Sequence, residues 1–176
     1  MSKEIISVIE ERFRLTERNV AEPDLPFITV ERGQALDAIA YLKDVEGYRH
    51  LVLLTAVDYI ERGEFQLTYL LHHPEKKTDI GVRVMISRED AAMDSGHHLW
   101  PTLATYQREL REMFGIDFPG SPGVMDNFIL EGWKGIPPYR RDFDTKAFAE
   151  QFYPQREGRG SHDPATYMKE KLYPNE

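Results

Sequence analysis

The chain of 176 residues contains no cysteine. That absence excludes disulfides, thiolate zinc sites, cysteine-held iron–sulfur clusters and a cysteine nucleophile. It fits a reducing compartment. Long apolar runs are missing too. The longest, around Leu51 to Val57, is too short to cross a bilayer. Met1-Ser2-Lys3-Glu4 opens straight into a helical pattern, without the apolar centre of a signal peptide. No direct membrane insertion is expected, so another subunit would hold the chain at any membrane. Positive charge is scarce: 22 Lys and Arg face 30 Asp and Glu, a formal net charge of -8. No general electrostatic attraction to nucleic acid or an anionic lipid surface follows from such a balance.

What is present suits a folded domain. Hydrophobic residues make up 41% and charged residues 30%, and the length supports one core with some extended chain outside it. Over residues 3–18, Ile5, Ile9 and Phe13 form one helical stripe, which Pro23 and Pro26 close. Phe27-Ile28-Thr29-Val30 reads as extended. Ala35 to Leu42 reads as a second helix ended by Gly47. The period then shortens. His50–Tyr59 is apolar and β-rich, Phe65–His72 places Phe65, Leu67, Tyr69 and Leu71 on one face, and Ile80–Ile86 alternates likewise. Glu61-Arg62-Gly63-Glu64 supplies a hairpin turn. Residues 102–114 form the clearest helix, with Leu103, Tyr106, Leu110, Met113 and Phe114 on one face and Gly115 at its end.

These patterns predict an α+β fold, a small antiparallel-type sheet covered by helices, over residues 1–115. Beyond Gly115 the composition changes. Residues 116–144 combine Pro119, Pro122, Pro137 and Pro138 with Phe118, Phe128, Trp133, Tyr139 and Phe143. Disordered linkers hold few aromatics. A stretch so stiff and so apolar suits an extended segment lying on another surface, so residues 116–176 read as a docking segment and tail. Packing on its own domain is the plain alternative. Weak helices are expected near Phe148 and Tyr167, and flexible chain at Gly158-Arg159-Gly160-Ser161.

No reactive centre emerges. His72-His73 and His97-His98 are adjacent pairs, and strand neighbours point to opposite faces, so neither pair readily chelates an ion. Gly158-Arg159-Gly160 lacks the ending of a phosphate loop. Gly120-Ser121-Pro122-Gly123 does not fit a nucleophile turn. Glu109 and Glu112 lie on a helix flank and read as solvated or salt-bridged rather than catalytic.

Gln107-Arg108-Glu109-Leu110-Arg111-Glu112-Met113-Phe114-Gly115-Ile116 resembles the signature of the C-subunit family of complex I, the NADH–quinone oxidoreductase. That family carries Glu-Arg-Glu, then Asp-Met-Phe-Gly-Ile, a Gly-His-Pro turn, Trp-x-Gly-x-Pro, and a basic pair followed by Asp and an aromatic. Here the later pieces are Gly120-Ser121-Pro122, Trp133-Lys134-Gly135-Ile136-Pro137 and Arg140-Arg141-Asp142-Phe143; upstream, Val57-Asp58-Tyr59 and Trp100-Pro101 fit. The likeness spans about residues 48 to 144. Gln107, Glu112 and Ser121 depart from it, and in these the chain looks closer to the beta-type subunits of archaeal membrane-bound hydrogenase and sulfane reductase complexes.

The resemblance implies a peripheral-arm structural subunit on the cytoplasmic side of the cell membrane. It would brace a hydrogenase-like large subunit and an iron–sulfur small subunit beside other peripheral-arm subunits. The assembly would be membrane-bound, with ferredoxin-linked electron transfer coupled to ion translocation. It implies no cofactor in this chain; iron–sulfur clusters, and a NiFe centre in hydrogenase types, would sit in partner subunits. The C-type subunit of an NADH–quinone oxidoreductase is the first alternative and a stand-alone protein-binding adaptor the second. The expected interface residues are Arg108 and Glu109 on the helix flank, Phe128, Trp133 and Phe143 as apolar anchors, and Arg140, Arg141 and Asp142 as charges meeting a partner's.

Overall fold

Alternation builds the centre of the molecule. The computed structural model describes residues 2–19, 25–152 and 163–172. Its three period-two stretches form long antiparallel strands, β3 (His50–Tyr59), β4 (Glu64–His73) and β5 (Thr78–Ser87). Phe65, Leu67, Tyr69 and Leu71 lie opposite Ile86, Val84, Val82 and Ile80. All of these are buried, as the two-residue period requires when one face meets a core. Leu54 and Ala56 continue the same face on β3. A bulge between Leu51 and Leu53 lets Leu51 and Leu54, three residues apart, both point inward, and it leaves Val52 exposed. Gly63, at φ +66°, closes the β3–β4 turn.

Two short strands, β1 (Leu15–Asn19) and β2 (Phe27–Val30), widen the sheet to the order β1-β2-β5-β4-β3. β2 runs parallel to β5, and β1 pairs antiparallel with β2. The sheet is therefore largely antiparallel, as expected, with one parallel pair that was not. Helix α1 (Ser2–Glu10) buries Ile5, Ile6 and Ile9. It is shorter than the helix expected over 3–18. The stripe of Ile5, Ile9 and Phe13 would next reach Glu17, which cannot extend an apolar face. Residues 15–19 instead gain cross-strand hydrogen bonds from β2, a tertiary gain that overrides helical periodicity. The closure at Pro23 lies outside the described residues.

Helix α2 (Ala35–Asp44) buries Ala35, Ala38, Ile39 and Leu42. Gly47, two residues past its cap, is at φ +85°, and a Cβ there would stand 2.8 Å from the His73 ring. Helix α3 (Leu103–Phe114) buries Leu103, Gln107, Leu110, Met113 and Phe114. All the buried apolar side chains join one cluster.

The chain divides into two compact units after Phe143. Just past the boundary expected at Gly115, Ile116 and Phe118 are wholly buried, and Asp117 exchanges backbone hydrogen bonds with Ala91 and Met93. The second unit contains α4 (Thr145–Phe152) and α5 (Pro164–Leu172), the two weak helices expected near Phe148 and Tyr167. Asp144 accepts hydrogen bonds from the Lys146 and Ala147 amides, and Asp163 from the Thr166 amide and hydroxyl, so each helix starts at a capping aspartate. Gly158-Arg159-Gly160-Ser161 lies outside the described residues.

Candidate interaction surface

The segment 116–143 is laid along helix α3 and the adjoining end of the sheet, and three fasteners hold it there. The first is the helix end. Gly115 turns the chain at φ +75° while its N–H bonds to Arg111 O at 2.9 Å. Pro137 then closes over this turn, its Cγ 3.2 Å from where a Cβ on Gly115 would stand. Tyr139 N–H donates to Met113 O at 2.9 Å, and its ring meets Phe114 edge-on at 5.6 Å.

The second fastener is Glu112. Its Oε2 accepts the Phe128 N–H at 2.7 Å, and its Oε1 accepts those of Ile129 and Leu130 at 2.7 and 2.9 Å. Burial alone would raise this carboxyl. The three amide hydrogen bonds, with the Arg108 guanidinium nearby, outweigh burial and hold it below the usual glutamate value. The solvated or salt-bridged role expected of Glu112 is in fact a clamp on main chain.

The third is a charge cluster under the last residues of the segment. Asp58 continues the inward face of β3, opposite Phe65, and its side chain is 1% exposed. Arg88, just past β5, places Nη2 3.1 Å from Asp58 Oδ2 and Nε 2.8 Å from Oδ1, the latter a charge contact rather than an aligned hydrogen bond. Asp58 Oδ2 also accepts the Arg141 N–H at 2.9 Å. Arg88 Nη2 reaches Asp142 at 3.0 Å, and Arg140 donates to Arg88 O at 3.3 Å while standing 5.3 Å from the Phe65 ring centre. Arg88 stands 5.6 Å from that same ring centre, a favourable place for cations.

The expected interface residues are therefore split. Arg140, Arg141 and Asp142 have partners within the chain; Arg141 adds a contact with Glu61 at 3.4 Å, between two well-exposed side chains. Phe128, Trp133 and Phe143 are half-buried. Phe128 packs against the core, and Trp133 meets Phe143 edge-on at 5.5 Å while its indole N–H donates to Ile136 O at 3.1 Å. The large apolar side chains that the segment turns outward are Met125, Ile129, Ile136 and Tyr139, at 70, 65, 44 and 57% exposure. None of these four was among the expected anchors. Arg108 and Glu109 lie on the α3 flank, half-buried, with the Arg108 guanidinium 5.6 Å from the Phe128 ring centre.

Gln107 was also missed. It is wholly buried, and Oε1 accepts the Ser95 hydroxyl at 2.8 Å, which in turn lies 3.0 Å from His97 Nδ1. A neutral amide suits that place, where a carboxylate would carry a large desolvation cost. The other paired histidines have local partners as well. His72 lies 2.7 Å from Asp79, and His73 accepts the Lys76 N–H. The segment thus combines three points of attachment to the body of the domain with four outward apolar side chains.

Comparison with known proteins bears on what that surface meets. Residues 28–149 match the family model of the respiratory-chain NADH dehydrogenase 30 kDa subunit. The chain is 31% identical over 138 residues to the NADH-quinone oxidoreductase C-subunit of Novosphingobium aromaticivorans, covering 78% of this chain and 44% of that protein. It is 32% identical over 120 residues to the corresponding C-subunit of Moorella thermoacetica, covering 68% and 80%. The chain thus spans less than half the length of the Novosphingobium relative. Among solved structures, a chain of the membrane-bound sulfane sulfur reductase, an archaeal respiratory membrane complex, superposes with a TM-score of 0.78 at 27% identity, covering 93% of this chain and 96% of that one.

Proposed function

This chain belongs to the family of the respiratory-chain NADH dehydrogenase 30 kDa subunit, and from that membership we propose that it is a non-catalytic subunit in the peripheral arm of a complex-I-like respiratory assembly. The observation that carries the reading is the near end-to-end overlay on a chain of the archaeal sulfane sulfur reductase complex, covering 93% of this chain. In this reading the assembly is of the membrane-bound hydrogenase or sulfane reductase type. The chain braces a hydrogenase-like large subunit and an iron–sulfur small subunit on the cytoplasmic side of the membrane, and it carries no cofactor itself.

The physical contribution is positional. Electron transfer between cofactors depends on their separation, and a rigid brace limits relative motion of the subunits that hold them. The loop fixed by Glu112 and the cluster at Asp58 supply that rigidity, and the outward apolar row supplies contact area. No helix among the described residues is long and apolar enough to cross a membrane, so contact with other subunits would hold the chain at one.

The test is capture of the tagged chain from solubilised membranes of its source cells. Recovery of an iron–sulfur subunit and a hydrogenase-like large subunit in stoichiometric amounts is expected. Recovery of the chain alone, under conditions that keep respiratory assemblies intact, would end the proposal. The names of the Novosphingobium and Moorella relatives favour a second reading, the C-type subunit of an NADH–quinone oxidoreductase. Electron donor preference of the captured assembly separates the two: reduced ferredoxin for the first, NADH for the second.

A further inference from the structure

Between α3 and the loop 124–137 lies a solvent-open cleft of about 280 Å³, with Arg108, Arg111 and Glu112 on the helix side and Met125, Asp126 and Trp133 on the loop side. Its charges are unequally used. Glu112 commits both oxygens to the amides of 128–130. Arg111 comes within 3.8 Å of Asp117. Arg108 lies across Phe128 and its charge is felt at Glu112, but its Nε is buried without a hydrogen bond and it makes no direct ion pair among the described residues. Asp126, the other carboxylate of the lining, pairs with neither arginine among those residues.

Arg83 shares the state of Arg108, its Nε buried without a hydrogen bond beside the Phe27 ring, but of the two arginines that line this cleft only Arg108 lacks an ion pair among the described residues. The chain has 30 carboxylate side chains against 22 Lys and Arg, an excess of 8, so intramolecular partners are plentiful. The other arginines buried near the segment have found theirs, Arg88 in Asp58 and Asp142, and Arg140 in the Arg88 carbonyl. Enclosing the Nε–H donor with no acceptor costs free energy, and that cost is recovered when a planar carboxylate takes it together with an Nη–H. Beside the cleft, Met125 and Ile129 are 70 and 65% exposed on a loop whose path is fixed.

We propose that this cleft is a socket in which Arg108 receives an aspartate or glutamate side chain of a neighbouring subunit, with Met125 and Ile129 packing on apolar residues that flank it. The inference rests on the reading of the chain as an assembly subunit. A charge at the centre and apolar groups at the lip give such a contact a defined register, since a displaced partner would leave both the carboxylate and the guanidinium unpaired.

The experiment uses the full chain in its source cells, tagged and carrying wild-type, Arg108→Gln or Arg108→Lys sequence. The Arg108→Gln chain is expected to bind its neighbouring subunit about 30-fold more weakly or worse. In the assembly captured with the Arg108→Lys chain, carbodiimide coupling followed by mass spectrometry is expected to join position 108 to an Asp or Glu of another subunit. The Arg108→Lys coupling decides the matter if the Gln variant folds poorly. Coupling only to Glu112 or Asp126 of the same chain, or to nothing, would overturn the socket, as would capture of the Gln variant at wild-type strength. Either result, with the wild-type chain still capturing its neighbours, would leave the subunit reading intact. A wild-type chain that captures no neighbour would remove both.

Discussion

Single side chains decide where the segment 116–143 lies. Glu112 is held below the ordinary glutamate value, so its folded pKa lies under its unfolded one. The stabilisation it gives is therefore complete above the unfolded value, about 4.3, and is lost as pH falls through the folded one. Hydrogen exchange at the amides of 128–130 should accelerate over that acidic window before the sheet amides respond. At neutral pH, Glu112→Gln should lower stability by about 1–3 kcal/mol in a urea titration, because three amides lose an ionised acceptor. Asp58→Ala should cost more, about 3–5 kcal/mol, since it takes from Arg88, only 15% exposed, the buried one of its two carboxylate partners and removes the acceptor for Arg141 N–H. The sequence does mark Asp58: a carboxylate falls where the alternation of β3 calls for an apolar group. It does not mark Arg88 as its partner, because the pairing joins residues 30 apart that only the folded sheet brings together. For the same reason Arg140, Arg141 and Asp142 read as charges for a neighbour, yet Asp58, Arg88 and Glu61 meet them first.

Elements were legible where one local signal ruled. β4 and β5 follow from strict alternation, and α3 from its apolar face and terminal glycine. β1 was not legible, because its five residues carry no strand signal and owe their form to β2. The parallel pairing of β2 with β5 is likewise a property of the assembled sheet. The end of α3 is the most exposed to a test. Gly115→Ala forces a side chain into left-handed backbone, at φ +75°, and brings its Cβ to 3.2 Å from Pro137. A loss of about 1–2 kcal/mol is expected from the backbone term alone. Tyr139 fluorescence and near-UV dichroism should change with it, because Pro137 and Tyr139 lean on that turn. Unchanged stability and spectra would show that the segment is not seated on the helix end.

The whole molecule joins an acidic body to an apolar row. The net charge of -8 keeps isolated chains apart near neutrality, but the repulsion vanishes near the isoelectric point of about 5.3. Light scattering by the isolated chain should therefore rise steeply as pH approaches that value. The double variant Met125→Ser and Ile129→Ser should rise less, since it removes two of the most exposed apolar groups. Equal scattering from both proteins would place the sticky surface elsewhere. The grip of Glu112 on its loop also leaves this row free to vary. Every bond it makes there goes to an amide common to all residues except proline, so at position 129, whose side chain points away from the core, the route of the loop does not depend on the side chain. Position 129 can then be rewritten, from isoleucine to a shorter, longer or charged residue, while its backbone stays put. Geometry and surface chemistry are thus set by different residues: Glu112 fixes where the loop runs, and position 129 decides what it shows to solvent.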